Sequence, residues 1–351
     1  MAWALARHVK RKAAVAASFY IVFTLDVVKA LGMDSFKLIR EKRKEYEAVR
    51  DPLGIDTVLR HLDVAERHFL RGREDSDYDL FTDVIFRTNQ VFEGILKELY
   101  IVLSGEGAHN KRPYDIEEYL TRNRVFSVRV LDYFSRYRKD WRNPAAHDYR
   151  LDFSEQEAFL AISTVSSFCF VAIDEMIKFI SEGVVEGKLS DLTRKTLNDI
   201  SGVVSLIADQ LPHIYEISAR GAVLPAVSEQ AMLGALEGLL QSVVEDAAVS
   251  SEAVIASGGK IYRPDILVEQ ETKRLVIEVK SIRDKRKAPY IYKQLVTQMQ
   301  FYAQIPNTVA VIGILLPTHL QSVSGRTFTV HCPSEEVKHH YVLFPENLYE
   351  F

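Results

Sequence analysis

Apolar residues recur every three or four positions over most of the first 220 residues, and then at every second position. Residues 55–70 carry Ile55, Val58, Leu59, Leu62, Ala65 and Phe69, the spacing of one helix face. Residues 77–104 continue the pattern with Leu80, Val84, Ile85, Val91, Phe92, Ile95 and Leu99. The stretch GEGAHNKRP (105–113) interrupts it, because Gly and Pro punctuate helices. Two shorter helices are expected over 115–122 and 126–140. A long one follows to about residue 181, opened by Ser154 with Glu157 three residues on, a capping-box pattern. Its apolar character all round predicts burial in a bundle. Another helix fits 189–210.

The period changes after ARGAVLPAVS (219–228), which reads as a linker. A helix, EQAMLGALEGLLQSVVEDAAV, leads into the strand-like runs VIASGGKIY, DILVEQ and RLVIEVK. A helix over 289–304, the apolar strand VAVIGILL (309–316) and the strand-like TFTVHC and YVLF complete the chain. Helix, three strands, helix, strand is the order of a mixed α/β domain. The predicted fold class is therefore α + α/β, an all-α helical bundle over 1–220 followed by a mixed α/β domain over 225–351.

Composition narrows the function classes. A chain of 351 residues accommodates about two domains, and 47% hydrophobic with 26% charged residues is a soluble globular balance. The formal net charge of −4 excludes a histone-like basic protein, so any nucleic-acid contact must use local basic patches. Cys169 and Cys332 lie far apart, with neither zinc spacing nor a disulfide framework, which suits a reducing cytoplasm. Arg7, Lys10, Arg11 and Lys12 precede AAVAASFYIVFTL (13–25), like the charged and apolar regions of a signal peptide. That run is too short to span a bilayer, and VVKALGM continues a helical pattern. A core helix and no membrane partner are expected there, with a membrane or export role as the alternative.

Charge inside the strands raises the chemical question. Glu278 and Lys280 interrupt LVIEVK, and Asp265 heads DILV just after Pro264. With Glu271 and Thr272 at the tip of a hairpin, Asp265 lies opposite Glu278, and Lys280 shares their face of the sheet. Two neighbouring carboxylates repel unless a positive charge sits between them. A hard divalent ion, Mg²⁺ or Mn²⁺, would supply it through oxygen ligands, polarise a phosphodiester and activate water. The neighbouring Lys could orient that water or stabilise developing phosphoryl charge. The alternative is a strand-start cap at Asp265 and an edge defence at Glu278 and Lys280.

Pro264-Asp265 followed by Glu278-Val279-Lys280 resembles the PD-(D/E)XK nuclease superfamily, and the surrounding element order over roughly 225–345 is similar to its restriction-endonuclease-like core. The resemblance implies metal binding by Asp265 and Glu278, joined by an acidic residue of the first core helix. Glu237 is the candidate for that residue, with Glu245 second; either could instead be a solvated helix charge. Gln298-Met299-Gln300-Phe301-Tyr302 resembles the RecB-type QxxxY element. Gln298 and Tyr302, one helical turn apart, would orient Lys280 or touch substrate, or else simply occupy a helix surface. Arg283, Lys285, Arg286, Lys287 and Lys293 between them could grip phosphates or form a solvated loop.

In the helical half, RYRKDWRNPAAH (136–147) holds Arg142 and His147 with four residues between them. A His beside a permanent cation can cleave RNA without metal. The motif resembles the R-x4–6-H of the HEPN family, over about 50–185, and implies a homodimer through the bundle. Arg136, Tyr137, Arg138 and Trp141 could meet RNA by charge and stacking. Asn143-Pro144 could equally start a helix, with His147 a capping or core residue. His339-His340 reads as surface.

Together the resemblances imply a Mg²⁺-dependent nuclease in the cytoplasm, acting on nucleic acid (DNA, with RNA possible). They also imply a role in defence against phage or plasmids, with a sensor or regulatory protein as a further partner. The alternatives are a metal-independent HEPN ribonuclease and a non-catalytic nucleic-acid-binding adaptor.

Overall fold

Helix faces as apolar as those of the first half must bury against one another, and they do so in the computed structural model. It describes residues 35–143, 152–188, 192–219, 228–251, 253–317, 327–333, 339–346 and 348. The expected helix at 13–25, most of the proposed linker and His147 lie outside the described residues. Helices α1 (Ser35–Glu47), α2 (Leu53–Asp75), α3 (Asp79–Ser104) and α5 (Val128–Tyr137) pack on the long α6 (Glu155–Lys188), and α4 (Pro113–Arg122) packs on α3 and α5. Ile55, Val58, Leu62, Ile85, Val91, Phe92, Ile95 and Leu99 enter one core with Phe168, Cys169, Ala172 and Met176 of α6. The Ser154–Glu157 capping box forms as expected, with the Ser154 N–H donating to Glu157 Oε2 at 2.8 Å.

By length and composition α6 would pass for a membrane-crossing helix, but most of its apolar window is buried in the bundle and against helix α8 below. Residues 138–142 extend α5 as one π-helical turn rather than ordinary helix.

Among the described residues, the second half contains α7 (Ile200–Ala219), α8 (Glu229–Val243), α9 (Ala288–Tyr302) and eight strands. These are β1 (Ala248–Ser251), β2 (Ile255–Ser257), β3 (Lys260–Tyr262), β4 (Ile266–Gln270), β5 (Lys273–Ile282), β6 (Thr308–Pro317), β7 (Phe328–His331) and β8 (His340–Pro345). Six form one mixed sheet in the order β1-β4-β5-β6-β8-β7, and β2 with β3 forms a separate ribbon. The β4–β5 hairpin has the expected register, with Ile266 opposite Ile277 and Gln270 opposite Lys273. Its tip uses Glu271 at a φ of 52°, a left-handed conformation that Gly or Asn would adopt at less strain. β5 and β6 are parallel and joined through α9, the crossover that parallel neighbours require.

Alternation along the strands divides the sheet's residues between two cores. Ile266, Val268, Leu275, Ile277, Ile312 and Ile314 pack with α7 and α8. Leu267, Val276, Val311 and Leu315 pack with Leu295, Met299 and Tyr302 of α9. Helix α7, expected at 189–210 within the bundle, instead covers the sheet through Val203, Val204, Ile207 and Leu211. Its all-apolar face matched either neighbour, so periodicity alone did not assign it. The helix expected to run to Val249 ends at Val243, and Ala248 and Val249 instead open edge strand β1. His340, expected at the surface, is 4% exposed, because β8 lies between β6 and β7.

Helix α8 is buried on every side and lies between the sheet and α6. A Cβ at Gly234 or Gly238 would collide with the backbone carbonyls of Lys178 or Glu182 on α6, so this approach requires glycine at both positions.

Candidate metal and nucleic-acid site

The hairpin register carries Asp265 to the residue just before β4, in line with Glu278 near the middle of β5. The Val279 N–H donates to Asp265 Oδ2 at 2.7 Å, fixing the carboxylate against the neighbouring strand. Glu278 is 2% exposed. Its Oε1 accepts from Lys280 Nζ at 2.5 Å and from Gln298 Nε2 at 2.6 Å. Its Oε2 is buried with no hydrogen-bond partner among the described residues. A buried carboxylate oxygen without a donor is costly unless some charge or ligand meets it.

Helix α9 supplies the other side of the site. Gln298 Nε2 also donates to the Tyr302 hydroxyl at 2.9 Å, and that hydroxyl donates to the Arg263 carbonyl at 2.7 Å. One helical turn between Gln298 and Tyr302 therefore ties the helix to Glu278 and to the chain entering Asp265. The close approach of α9 depends on Gly313, the partner of Glu278 on β6. A Cβ at Gly313 would meet Met299 Sδ at 2.7 Å and Leu295 Cδ2 at 2.8 Å.

Electrostatics mark the same cluster. Burial, reinforced by the Glu278 charge, pushes the Asp265 carboxyl up to about 6. Lys280 and the Val279 amide pull the other way without cancelling it. Burial and the nearby Glu278 and Asp265 carboxylates, against the opposing Gln298 bond, hold the Tyr302 phenol up at about 12, so it remains a donor.

The acidic residue of α8 that reaches this field is not Glu237. Glu237 Oε1 accepts from the Ser251 N–H at 2.9 Å, and its Oε2 lies 3.9 Å from Lys178 Nζ. It sits on the helix covering the sheet face opposite Glu278. Glu245 is exposed and follows the end of α8. Glu229, at the start of α8, is close enough for its charge to raise the Asp265 pKa, and its Oε2 accepts from Ser281 Oγ at 2.7 Å. The signal for Glu229 in the sequence was its position directly after Ser228, the N-cap of α8.

Among the described residues, no group of three or more His, Cys, Asp or Glu side chains is gathered closely enough to cage an ion. A pair of carboxylates nevertheless fits Mg²⁺, which keeps several waters and takes one or two protein carboxylates together with substrate phosphate. The unpartnered Glu278 Oε2 and the raised Asp265 supply that pair.

The basic residues follow β5 directly. Arg283, Arg286, Lys287 and Lys293 are exposed and Lys285 is half-buried. Asp284 caps the short 3-10 turn Lys285–Lys287 and pairs with Arg286 at 2.9 Å.

The second motif is arranged differently. Arg142 Nε donates to Glu93 Oε1 at 2.7 Å, and its Nη1 donates to Asn143 Oδ1 at 3.2 Å. Phe86, Asn89, Gln90, Glu93 and Arg142 line a cleft of about 270 Å³. Tyr137 is buried, its hydroxyl within hydrogen-bond reach of Thr88 Oγ1 at 2.9 Å and Asn89 Oδ1 at 3.0 Å, and Arg138 pairs with Glu117 at 2.7 Å. Tyr137 and Arg138 are thereby committed to the bundle rather than offered to RNA.

Comparison with protein-family models, curated proteins and solved structures finds no match to this chain.

Proposed function

We propose that the chain is a Mg²⁺-dependent nuclease of the PD-(D/E)XK type, with a restriction-endonuclease-like sheet domain and DNA as its favoured substrate. One observation carries the reading. Asp265 and Glu278 lie side by side, with one buried Glu278 oxygen unpartnered and Lys280 and Gln298 on the other.

Asp265 and Glu278 would hold the metal, and the Glu229 charge adds to the negative field at Asp265. When bound, the ion supplies Lewis acidity at the phosphorus and a more acidic water. Lys280 presents its ammonium where a phosphoryl oxygen gains negative charge. Gln298 keeps Glu278 in one rotamer by donating to Oε1, leaving Oε2 for the ion. Tyr302 fixes the Arg263 carbonyl and so the backbone leading into Asp265. Hydrolysis then forms one P–O bond from water and breaks another, with the departing oxygen taking up a proton.

The test is cleavage of DNA and RNA by the full chain with Mg²⁺ and with EDTA. Cleavage that requires Mg²⁺ and disappears in Glu278→Gln supports the reading. Cleavage retained by Glu278→Gln removes it.

A further inference from the structure

The face of α9 that carries Gln298 continues toward the helix N-terminus as Tyr290, Gln294, Gln298 and Tyr302, each four residues from the next. Hydrogen bonds join its two ends in the same way. Gln294 Nε2 donates to the Tyr290 hydroxyl at 2.9 Å, and Gln298 Nε2 donates to that of Tyr302 at 2.9 Å. Burial changes along the stripe. Tyr302 is 3% exposed and Gln298 half-buried, whereas Gln294 is exposed and Tyr290 is 63% exposed. At the helical rise, Tyr290 stands about 12 Å along the axis from Gln298, which touches Glu278.

At this exposure most of the Tyr290 ring surface is open to solvent, while Gln294 holds its hydroxyl. Its surroundings are strongly basic. Residues 283–293 contain Arg283, Lys285, Arg286, Lys287 and Lys293 against the single acid Asp284, in a chain whose net charge is −4. A ring set among cations and joined by a polar stripe to a carboxylate–lysine centre has the make-up of a base-stacking platform beside a phosphate track. Duplex bases are already stacked on each other and present only their edges. Unpaired bases expose the faces that a tyrosine can cover.

We infer that Tyr290 stacks an unpaired base of the substrate strand, so that the centre at Asp265, Glu278 and Lys280 acts on single-stranded nucleic acid or on a strand frayed next to the cut. This rests on the nuclease reading above. Gln294 holds the ring along the helix, and the basic residues at the start of α9 take the phosphates on either side.

The experiment measures binding by fluorescence anisotropy in EDTA. The full chain is titrated against labelled oligothymidylate, oligouridylate and a DNA duplex of the same length, and Mg²⁺-dependent cleavage of each is assayed separately. Tyr290→Ala should weaken binding of the unpaired strands about tenfold, the loss of one stacked base. Its affinity for duplex should be unchanged. Tyr290→Phe should retain wild-type affinity for all three, because it keeps the ring and loses only the hydroxyl. Matching losses on thymidylate and uridylate are expected, because stacking does not read the sugar. Unpaired strands bound equally by Tyr290→Ala and wild type would overturn the inference, and so would equal losses on unpaired strands and duplex. Duplex cleavage would in those cases leave the nuclease reading standing. Wild-type protein that neither binds nor cuts any of the three would retire both.

Discussion

Glu278 and Arg142 are both partly or wholly buried charges, each met by an opposite charge at hydrogen-bond distance, yet their neighbours leave them in different chemical states. Lys280 and Gln298 both engage Oε1 of Glu278, so the carboxylate is held while Oε2 keeps its capacity to accept. Arg142 spends Nε on Glu93 and Nη1 on Asn143, pairing its charge within the bundle. The groups around Glu278 come from β5, from α9 and from the residue before β4. Those around Arg142 come from α3 and from Asn143, the residue that follows the π-helical turn. A charge fixed on one side and open on the other can serve a ligand, whereas one neutralised by its neighbour mainly serves packing.

The sharpest way to break this contrast is to remove the open oxygen. Glu278→Gln or Asp265→Asn should lower Mg²⁺-dependent cleavage by about a thousandfold or more, as loss of metal-ion catalysis does, measured as single-turnover rate at saturating Mg²⁺. A drop of less than about tenfold would mean that these carboxylates are structural. Next in size is Gly313→Ala, which pushes α9 away from β6 and shifts Gln298 off Glu278. It should cost about 1–3 kcal/mol in urea unfolding and reduce turnover more than substrate binding. Unchanged turnover would show that the position of Gln298 is immaterial.

A smaller effect concerns acidity. The Asp265 carboxyl titrates near 6 in the folded chain and near 4 in the unfolded one. Between those values the folded chain holds more proton, so this group's effect on stability is most favourable below about pH 4 and worsens as pH rises to 6. Asp265→Asn should therefore melt higher than wild type at pH 7 in the absence of metal, with the difference shrinking toward pH 4. A constant difference across that window would assign the change to packing instead of charge. Smallest of all, Arg142→Ala should leave Mg²⁺-dependent cleavage within about twofold of wild type, and no cleavage of RNA should persist in EDTA. EDTA-resistant cleavage leaving 2′,3′-cyclic phosphate ends, and lost in Arg142→Ala, would reverse the ranking of the two regions.

Local periodicity made much of this legible. The hairpin register followed from alternation around Glu271-Thr272, and with it the pairing of Asp265 with Glu278. The one-turn spacing of Gln298 and Tyr302 was equally readable, since both depend only on neighbours in sequence. Long-range approach was not readable. Glu229 and Glu237 are two acids on one helix, and only the packed structure shows that the first acts on Asp265 while the second bonds Ser251. Helix α7 presented an apolar face that either half could have buried. The pairing of Arg142 with Glu93 joins residues 49 positions apart, a distance over which no helical or strand period operates.

The shared helix has a consequence for how the protein is made. Met232, Leu236 and Leu239 of α8 belong to the sheet's core, while Ala231 belongs to the bundle's and Gly234 and Gly238 seat the helix on α6. As synthesis proceeds from the N-terminus, the bundle is complete through Lys188 well before α8 has emerged. Until then the side of α6 around Lys178 and Glu182 waits for its cover, and the sheet strands that will receive α8 come later still. Ribosome-bound chains ending before residue 229 should therefore hold chaperones longer than chains extended through residue 243, and the bundle's packing should be finished only when the sheet half begins.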